Sequence, residues 1–389
     1  MADLAGGAAA AQGLLTAAAV AGATLGDHPG ADGAIEGSPP TPADVLPRFR
    51  FPARSLVALG LAAIGGVVCQ LFQLPAAWLA GSAILVAGAS IAGVPTGLPG
   101  WLRGVTFVVL GVSMGASVTP ETVRRIGEWP VSLAVLLVTV VAVTLTVMLF
   151  LRRRHGWDRD SALLAALPGA LSYVVAAAQQ RDADIRKVVT SQSIRLMFLV
   201  AVLPIVIGHG EGGARAAAPV VDLVELAVML AVGAAVGLLA DRIRVPAGLL
   251  AGAFGASALL HGSGLVHAVL PPWLAIPAFV VLGAFVGTRF SGADVGSLVT
   301  LAWSSVGAFF IGAGVAMAGA LVTVWATGQP LGDALLAVAP GGIEAMTGLA
   351  YLLNADPAFV AVHQLVRFIA IAVSLPLVLR LAGPPSRGR

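Results

Sequence analysis

Residues 339–376 read APGGIEAMTGLAYLLNADPAFVAVHQLVRFIAIAVSLP. A helix-breaking triplet, Pro340-Gly341-Gly342, sits inside apolar sequence, and Glu344 follows two residues later. Arg367 lies in the middle of the next apolar run. Backbone that breaks at membrane depth must be buried in protein or line a cavity, because lipid satisfies neither N–H nor C=O groups. Charged side chains in such surroundings are costly and point to function.

The composition requires those surroundings to be a membrane. Of 389 residues, 58% are hydrophobic and 11% charged, and the mean hydropathy is +0.95. Soluble domains carry roughly 25% charged residues. Apolar runs of about 18 residues or more recur along the chain, each long enough to cross a bilayer. One cysteine, Cys69, excludes an internal disulfide or thiolate cluster, and six scattered histidines lack ligand spacing. No nucleophile–base constellation appears, so neither an enzyme nor a cofactor is expected. The lipid bilayer and a small-molecule or ion substrate are the expected partners. No nucleic acid is among them, and a homodimer is left open.

Outward from residue 339, the same pattern recurs at 167–204, and the correspondence extends through the chain. FVVLG occurs at 107–111 and again at 279–283, and Trp101 matches Trp273. Pro168-Gly169 matches Pro340-Gly341, Gln192 matches Gln364, Arg195 matches Arg367, and Pro204 matches Pro376, all at a spacing of 172. LPAAWLAG (74–81) matches VPAGLLAG (245–252) at 171. The chain is a duplication. Its parts read as a disordered cytoplasmic tail (1–53), a first membrane repeat (54–208), a linker (209–219), a second repeat (220–382) and a short tail (383–389). The tail lacks the basic start of a signal peptide. Spans are expected at 55–72, 76–92, 102–118, 131–151 and 188–207, with a broken segment at 162–178. In the second repeat they fall at 220–240, 247–260, 274–288, 298–327 and 359–381, with the broken segment at 334–353.

Charge decides how the halves are oriented. If all twelve segments cross, 12 Lys and Arg residues lie inside and 8 outside. If each broken segment is a hairpin that enters and leaves on one face, each half has five crossings and the second half is inverted. The count then becomes 17 inside against 3 outside, with Arg195 and Arg367 within the membrane. The second arrangement fits the excess of positive charge in cytoplasmic loops. The expected fold is therefore an all-α polytopic membrane protein of two inverted repeats, with ten spans and two Pro-Gly hairpins. It belongs in the cell inner membrane with both termini cytoplasmic.

Paired breaks in inverted repeats point to a transporter's central site. The candidates are Pro168, Gly169, Ser172, Gln192 and Arg195, with Pro340, Gly341, Gly342, Glu344, His363, Gln364 and Arg367. Each break exposes a half-helix N-terminus whose dipole favours an anion; a packing kink is the plainer alternative. Glu344 could bind a proton, ligate a cation or pair with Arg367, or it could cap the half-helix it begins. Its mate in the first repeat is Ser172, a hydroxyl. Gln192 and Arg195, like Gln364 and Arg367, stand one turn apart on a single helix face. The two arginines could grip an anion bidentately, or each could clamp the carbonyls of its own hairpin. His363 faces elsewhere on its helix. Asp184 and Asp356 fit N-caps of the spans that follow.

These motifs, LPAAWLAG, LPGALSYV (167–174), ADIRKVVTSQSIRLMFLVAVLP (183–204), VPAGLLAG, APGGIEAMTGLA (339–350) and ADPAFVAVHQLVRFIAIAVSLP (355–376), resemble the membrane AbrB family. Its members carry a duplicated integral-membrane domain and are labelled AbrB-like regulators or ammonia monooxygenases. The first half departs from the family pattern, with PGALS in place of PGG and an acid. The resemblance implies a role in regulating gene expression. The residues offer neither a soluble DNA-binding β-domain nor the clustered ligands of a metal oxygenase, so regulation would be indirect. The residues themselves point to a secondary transporter of a small, anionic or organic solute, with Glu344, Arg367 and Arg195 setting charge selectivity.

Overall fold

The structure is a computed structural model that describes residues 52–381 apart from 119, 121–123, 125, 169–170, 209–222, 246 and 267–269. The linker and the two tails read from the sequence, apart from Pro52 and Ala53, lie outside these residues, as does Gly169. The described residues form fourteen α-helices and no strand. The first repeat supplies α1 (Ala53–Leu71), α2 (Ala77–Ile91), α3 (Gly100–Gly115), α4 (Pro130–His155), α5 (Arg159–Ala166), α6 (Leu171–Gln180) and α7 (Ile185–Ile207). The second supplies α8 (Leu223–Arg242), α9 (Gly248–Gly262), α10 (Pro272–Gly287), α11 (Val295–Thr327), α12 (Leu331–Val338), α13 (Ile343–Leu352) and α14 (Pro357–Leu381). Seven of these helices are long and apolar enough to span a membrane, and α2, α3 and α9 are shorter apolar helices of 15, 16 and 15 residues. The chain is an all-α polytopic membrane protein.

The broken segments are hairpins of two short helices. α5 and α12 have 8 residues and α6 and α13 have 10, about 12 and 15 Å at 1.5 Å per residue, half a hydrocarbon core at most. The duplication extends to the backbone. Six non-glycine residues have positive φ among those described, and they fall into three pairs: Gln73 with Arg244, Ala76 with Ala247, and Asp182 with Asn354. Such conformations are uncommon, so their pairing at spacings of 171 and 172 shows two copies of one fold.

The repeats are not packed as separate halves. The third helix of each lies on the second helix of the other, along a seam of two glycines. A Cβ added at Gly111 or Gly115 of α3 would sit 2.6 Å from Leu250 O or 2.5 Å from Phe254 O of α9. One added at Gly283 or Gly287 of α10 would sit 2.5 Å from Leu79 O or 2.8 Å from Ala83 O of α2. Small residues four apart let backbones approach this closely, which is how helices associate without a hydrophobic driving force. In both seams residue numbers rise together, so the paired helices are parallel. A chain crossing twelve times would make these pairs antiparallel; ten crossings with an inverted second repeat make them parallel.

The remaining long helices form a second bundle around α4 and α11. Gly319 meets Thr139, Gly312 meets Val143 and Val147, and Gly307 meets Phe150, so α4 and α11 run antiparallel. Because each hairpin follows the C-terminal end of one of these two helices, the hairpins enter the bundle from opposite ends. The hairpin helix α13 rests against the glycine-seam group, where Gly348 packs on Phe279, Leu282 and Met114.

Candidate functional site

Each hairpin is fastened at its base and at its tip, in the same way in both repeats. At the first base, Asp158 caps α5 by accepting from Ser161 N at 2.8 Å, and Ser161 Oγ accepts from Asp184 N at 2.8 Å. At the second, Asp333 occupies the position of Ser161 and accepts from Asp356 N at 3.2 Å. Asp184 and Asp356 cap α7 and α14 through the N–H groups of Lys187 and of Ala358 and Phe359. Asp160, fully buried, receives Arg181 Nη2 at 3.1 Å.

At the tips the glutamines and arginines meet the carbonyls left open where α5 and α12 end. Gln192 Nε2 donates to Leu164 O at 3.0 Å, and Gln364 Nε2 donates to its mate, Leu336 O, at 2.7 Å. Arg195 donates to Ala165 O at 3.3 Å and Leu167 O at 3.1 Å. Arg367, 1% exposed, donates to Ala339 O and Gly341 O. These carbonyls carry the negative end of a helix dipole, so a guanidinium supplies both donors and charge. In this arrangement the Nη groups of both arginines are engaged by the hairpins they stabilise. Arg367 Nε, Gln364 Oε1 and Thr347 Oγ1 remain buried without a partner.

Pro340, Gly341 and Gly342 form the turn between α12 and α13, with Gly342 as N-cap. Pro168 holds the corresponding place before α6, while the Ser172 side chain lies outside the described residues. Glu344 falls in the first turn of α13 and is half-buried, and no cap hydrogen bond from a side chain fixes that helix end. Its carboxylate therefore rests at the positive end of the helix. His363 is fully buried away from the tip, with Nδ1 2.7 Å from Phe359 O and Nε2 2.9 Å from Ser132 Oγ, beside the Trp129 ring.

One further charged residue belongs to this region. Arg289 lies on the 3-10 turn Thr288–Phe290 at the end of α10, within electrostatic reach of Glu344, Arg195 and Arg103. Arg195 in turn lies in reach of Arg367. The four arginines thus form a series, Arg367, Arg195, Arg289 and Arg103, with the Glu344 carboxylate in reach of Arg289. Charge counting alone places Arg289 among cytoplasmic loop cations. The signal that identifies it is the repeat spacing, since its mate is Ser117 just as the mate of Glu344 is Ser172. At the other end of α13, a cavity of about 290 Å³ is lined by Gln70, Gln73, Trp78 and Asn354, among others.

The family model described as "Transition state regulatory protein AbrB" matches residues 78–383. A protein of Escherichia coli strain K12 named "Putative regulator AbrB" is 27% identical over 325 residues, covering 79% of this chain and 90% of that protein. YhjN of Bacillus subtilis strain 168 is 25% identical over 371 residues, covering 84% of this chain and 93% of its own length.

Proposed function

The chain belongs to the AbrB family, and from that premise we propose that it is a secondary transporter that carries a small anionic solute through the membrane by alternating access. The observation that carries this reading is the charge at the hairpin tips. Arg367, Arg195, Arg289 and Arg103 follow one another within electrostatic reach, and Glu344, in reach of Arg289, is the one carboxylate in that series. Arg195 and Arg367 lie within the membrane and are held by hairpin carbonyls, while Arg103 and Arg289 are exposed. The series therefore leads from solvent to the hairpin tips with an excess of positive charge that attracts an anion. The hairpins supply the rest of the machinery, as irregular backbone in the bundle around α4 and α11, which can rock against the glycine-seam group built from both repeats. The protein acts in the inner membrane, both termini cytoplasmic, and its partners are lipid and the transported solute.

The name of the Escherichia coli relative, "Putative regulator AbrB", favours a second reading, an indirect role in regulating gene expression. Under it, the solute moved by the protein or a partner bound to it carries the effect.

Purified protein in liposomes tests the transport reading. Labelled small carboxylates, phosphate and neutral controls are offered under an imposed proton or sodium gradient. The expected result is gradient-driven accumulation of an anion, lost in Glu344→Gln. Equal uptake by protein-free vesicles, or normal accumulation by Glu344→Gln, overturns the respective claim.

A further inference from the structure

At the base of the second hairpin, away from the arginine series, the cavity of about 290 Å³ lies between two turns. The turn from α1 to α2 lines it with Gln70, Gln73, Ala77 and Trp78, and the turn that closes α13 lines it with Asn354. With ten crossings and cytoplasmic termini, both turns are on the outer face. The cavity therefore bridges the glycine-seam group, to which α2 belongs, and the hairpin. Leu71 and Phe72, in the same turn as Gln70 and Gln73, are each 75% exposed. They end the span of α1, so the cavity stands at the level of the lipid headgroups.

The duplication shows what makes room there. Ala77 has Gly248 as its mate, and Gln70 has Asp241. A Cβ added at Gly248 would sit 2.5 Å from Asp241 Cα, so α9 closes on the end of α8 only because that methyl is missing. Ala77 carries the methyl. The same closure is therefore barred beside Gln70, although α1 and α2 pack backbone to backbone farther along, at Gly65 and Gly81. The polar side chains differ as well. Gln70, Gln73 and Asn354 are carboxamides where their mates Asp241, Arg244 and Asp182 are charged. All three are exposed, and among the described residues their side chains make no hydrogen bond.

A carboxamide offers a donor and an acceptor side by side and carries no charge. A carboxylate would use only the donors and an ammonium only the acceptors, whereas a hydroxyl both donates and accepts. No charged side chain lines the cavity to offset a charge on a ligand. Trp78 adds a fixed apolar wall, since a Cβ at Gly66 of α1 would sit 2.8 Å from its ring. The volume is at the lower end of the range of roughly 300–1,000 Å³ for small-molecule sites, enough for one group the size of glycerol or a hexose. We propose that this cavity binds an uncharged polyhydroxy group, either a free polyol or the sugar or glycerol headgroup of a lipid, and that its occupant ties the second hairpin to the glycine-seam group. The occupant bonds Gln70 and Gln73 on one side and Asn354 on the other. The site is separate from the arginine series, and its existence does not rest on the transport reading.

For the test, full-length protein is purified in an amine-oxide detergent, because a glycoside detergent would itself supply the ligand. Glycerol and glucose are titrated by saturation-transfer NMR, with acetate and methylammonium as charged controls. We expect saturable binding of glycerol or glucose, weakened at least about fivefold in Q70A and in N354A, the effect of one lost hydrogen bond. Where an alanine variant fails to purify as one species, Q70D or N354D is used, each carrying the residue of its repeat mate. In parallel, protein in nanodiscs of phosphatidylcholine with a glucosyl diacylglycerol is examined by native mass spectrometry for retained lipid. Variant-sensitive binding of the free polyols supports the site with a soluble occupant, and variant-sensitive retention of the glycolipid alone supports it with a lipid headgroup. Hydrogen exchange reads the tie: the bound ligand should slow exchange at 70–78 and 350–356 together in the wild type and not in N354A. The inference is overturned if neither glycolipid nor free polyol binds, if the variants bind at wild-type strength, or if the charged controls bind as tightly as the polyols. Binding that leaves exchange at 350–356 unchanged overturns the tie. None of these readouts involves flux, so failed or successful uptake by liposomes bears on the transport reading alone.

Discussion

Arg367 places both Nη groups on hairpin carbonyls in a setting that is 1% exposed. Replacing it by Gln leaves the Gly341 carbonyl without its donor, and Ala339 O keeps only Gln364 at 3.3 Å. A buried acceptor without a donor costs roughly 1–3 kcal/mol, so Arg367→Gln is expected to unfold earlier by about that amount in a detergent denaturation series. Arg195→Gln, at a half-buried site, should lose less. Asp333 gives a pH signature at the hairpin base, outside the spanning helices. Burial is the main cause that raises its carboxyl to about 6, the Asp356 N–H opposes this, and the Asp356 carboxylate adds to it. A raised acid contributes stability that is complete below its unfolded value of 3.8 and lost as pH rises through about 6. Thermal stability should therefore fall across that interval in the wild type, and Asp333→Asn, which still accepts from Asp356 N–H, should flatten the fall. At this scale the sequence was informative about residue type and not about partner. The spacing of Gln364 and Arg367 told that they share a face, whereas the carbonyls they hold belong to a turn 25 to 28 positions earlier. Arg289 follows an apolar run, and in the sequence alone such a residue is indistinguishable from a topology anchor.

Among the helices, the two glycine seams make the sharpest stability claim. Gly283→Ala puts a Cβ 2.5 Å from Leu79 O, a backbone atom that cannot swing away. Overpacking of this kind costs about 1–3 kcal/mol. Gly88 of α2 and Gly255 of α9 have open space around the added atom, so alanine there is expected to be neutral or to gain about 0.5–1 kcal/mol from helix propensity. Thermal unfolding of the four single variants, including Gly111→Ala, checks the contrast. The repeated FVVLG at 107–111 and 279–283 identified equivalent helices and gave their seam glycines. It could not reveal that each packs on the other repeat, because a period fixes correspondence and says nothing of contact. The half-helices were legible for the opposite reason: a Pro-Gly break needs no distant partner to be recognised.

For the molecule as a whole, the inverted arrangement makes a direct topological claim. In a Cys69→Ala background, Gln180→Cys lies at the base of the first hairpin and Gln329→Cys just before the second. Ten crossings place Gln180 inside and Gln329 outside, and twelve crossings reverse both. A membrane-impermeant maleimide applied to intact cells should therefore label Gln329→Cys at once and Gln180→Cys only after the membrane is opened.

The glycine seams also bear on where such a chain could have come from. Each repeat leaves its third helix with a surface shaped for a backbone it does not contain, the second helix of its counterpart. A chain of half this length could cover that surface only by meeting a copy of itself inserted upside down in the same membrane. Such an ancestor would have needed a charge distribution weak enough to allow both insertions. Duplication within one chain removed that need, because each half then had a fixed orientation. Within one chain the halves need not match side chain for side chain: Glu344 and Arg289 stand in one repeat where Ser172 and Ser117 stand in the other, so a membrane passage built from two similar parts has two different faces.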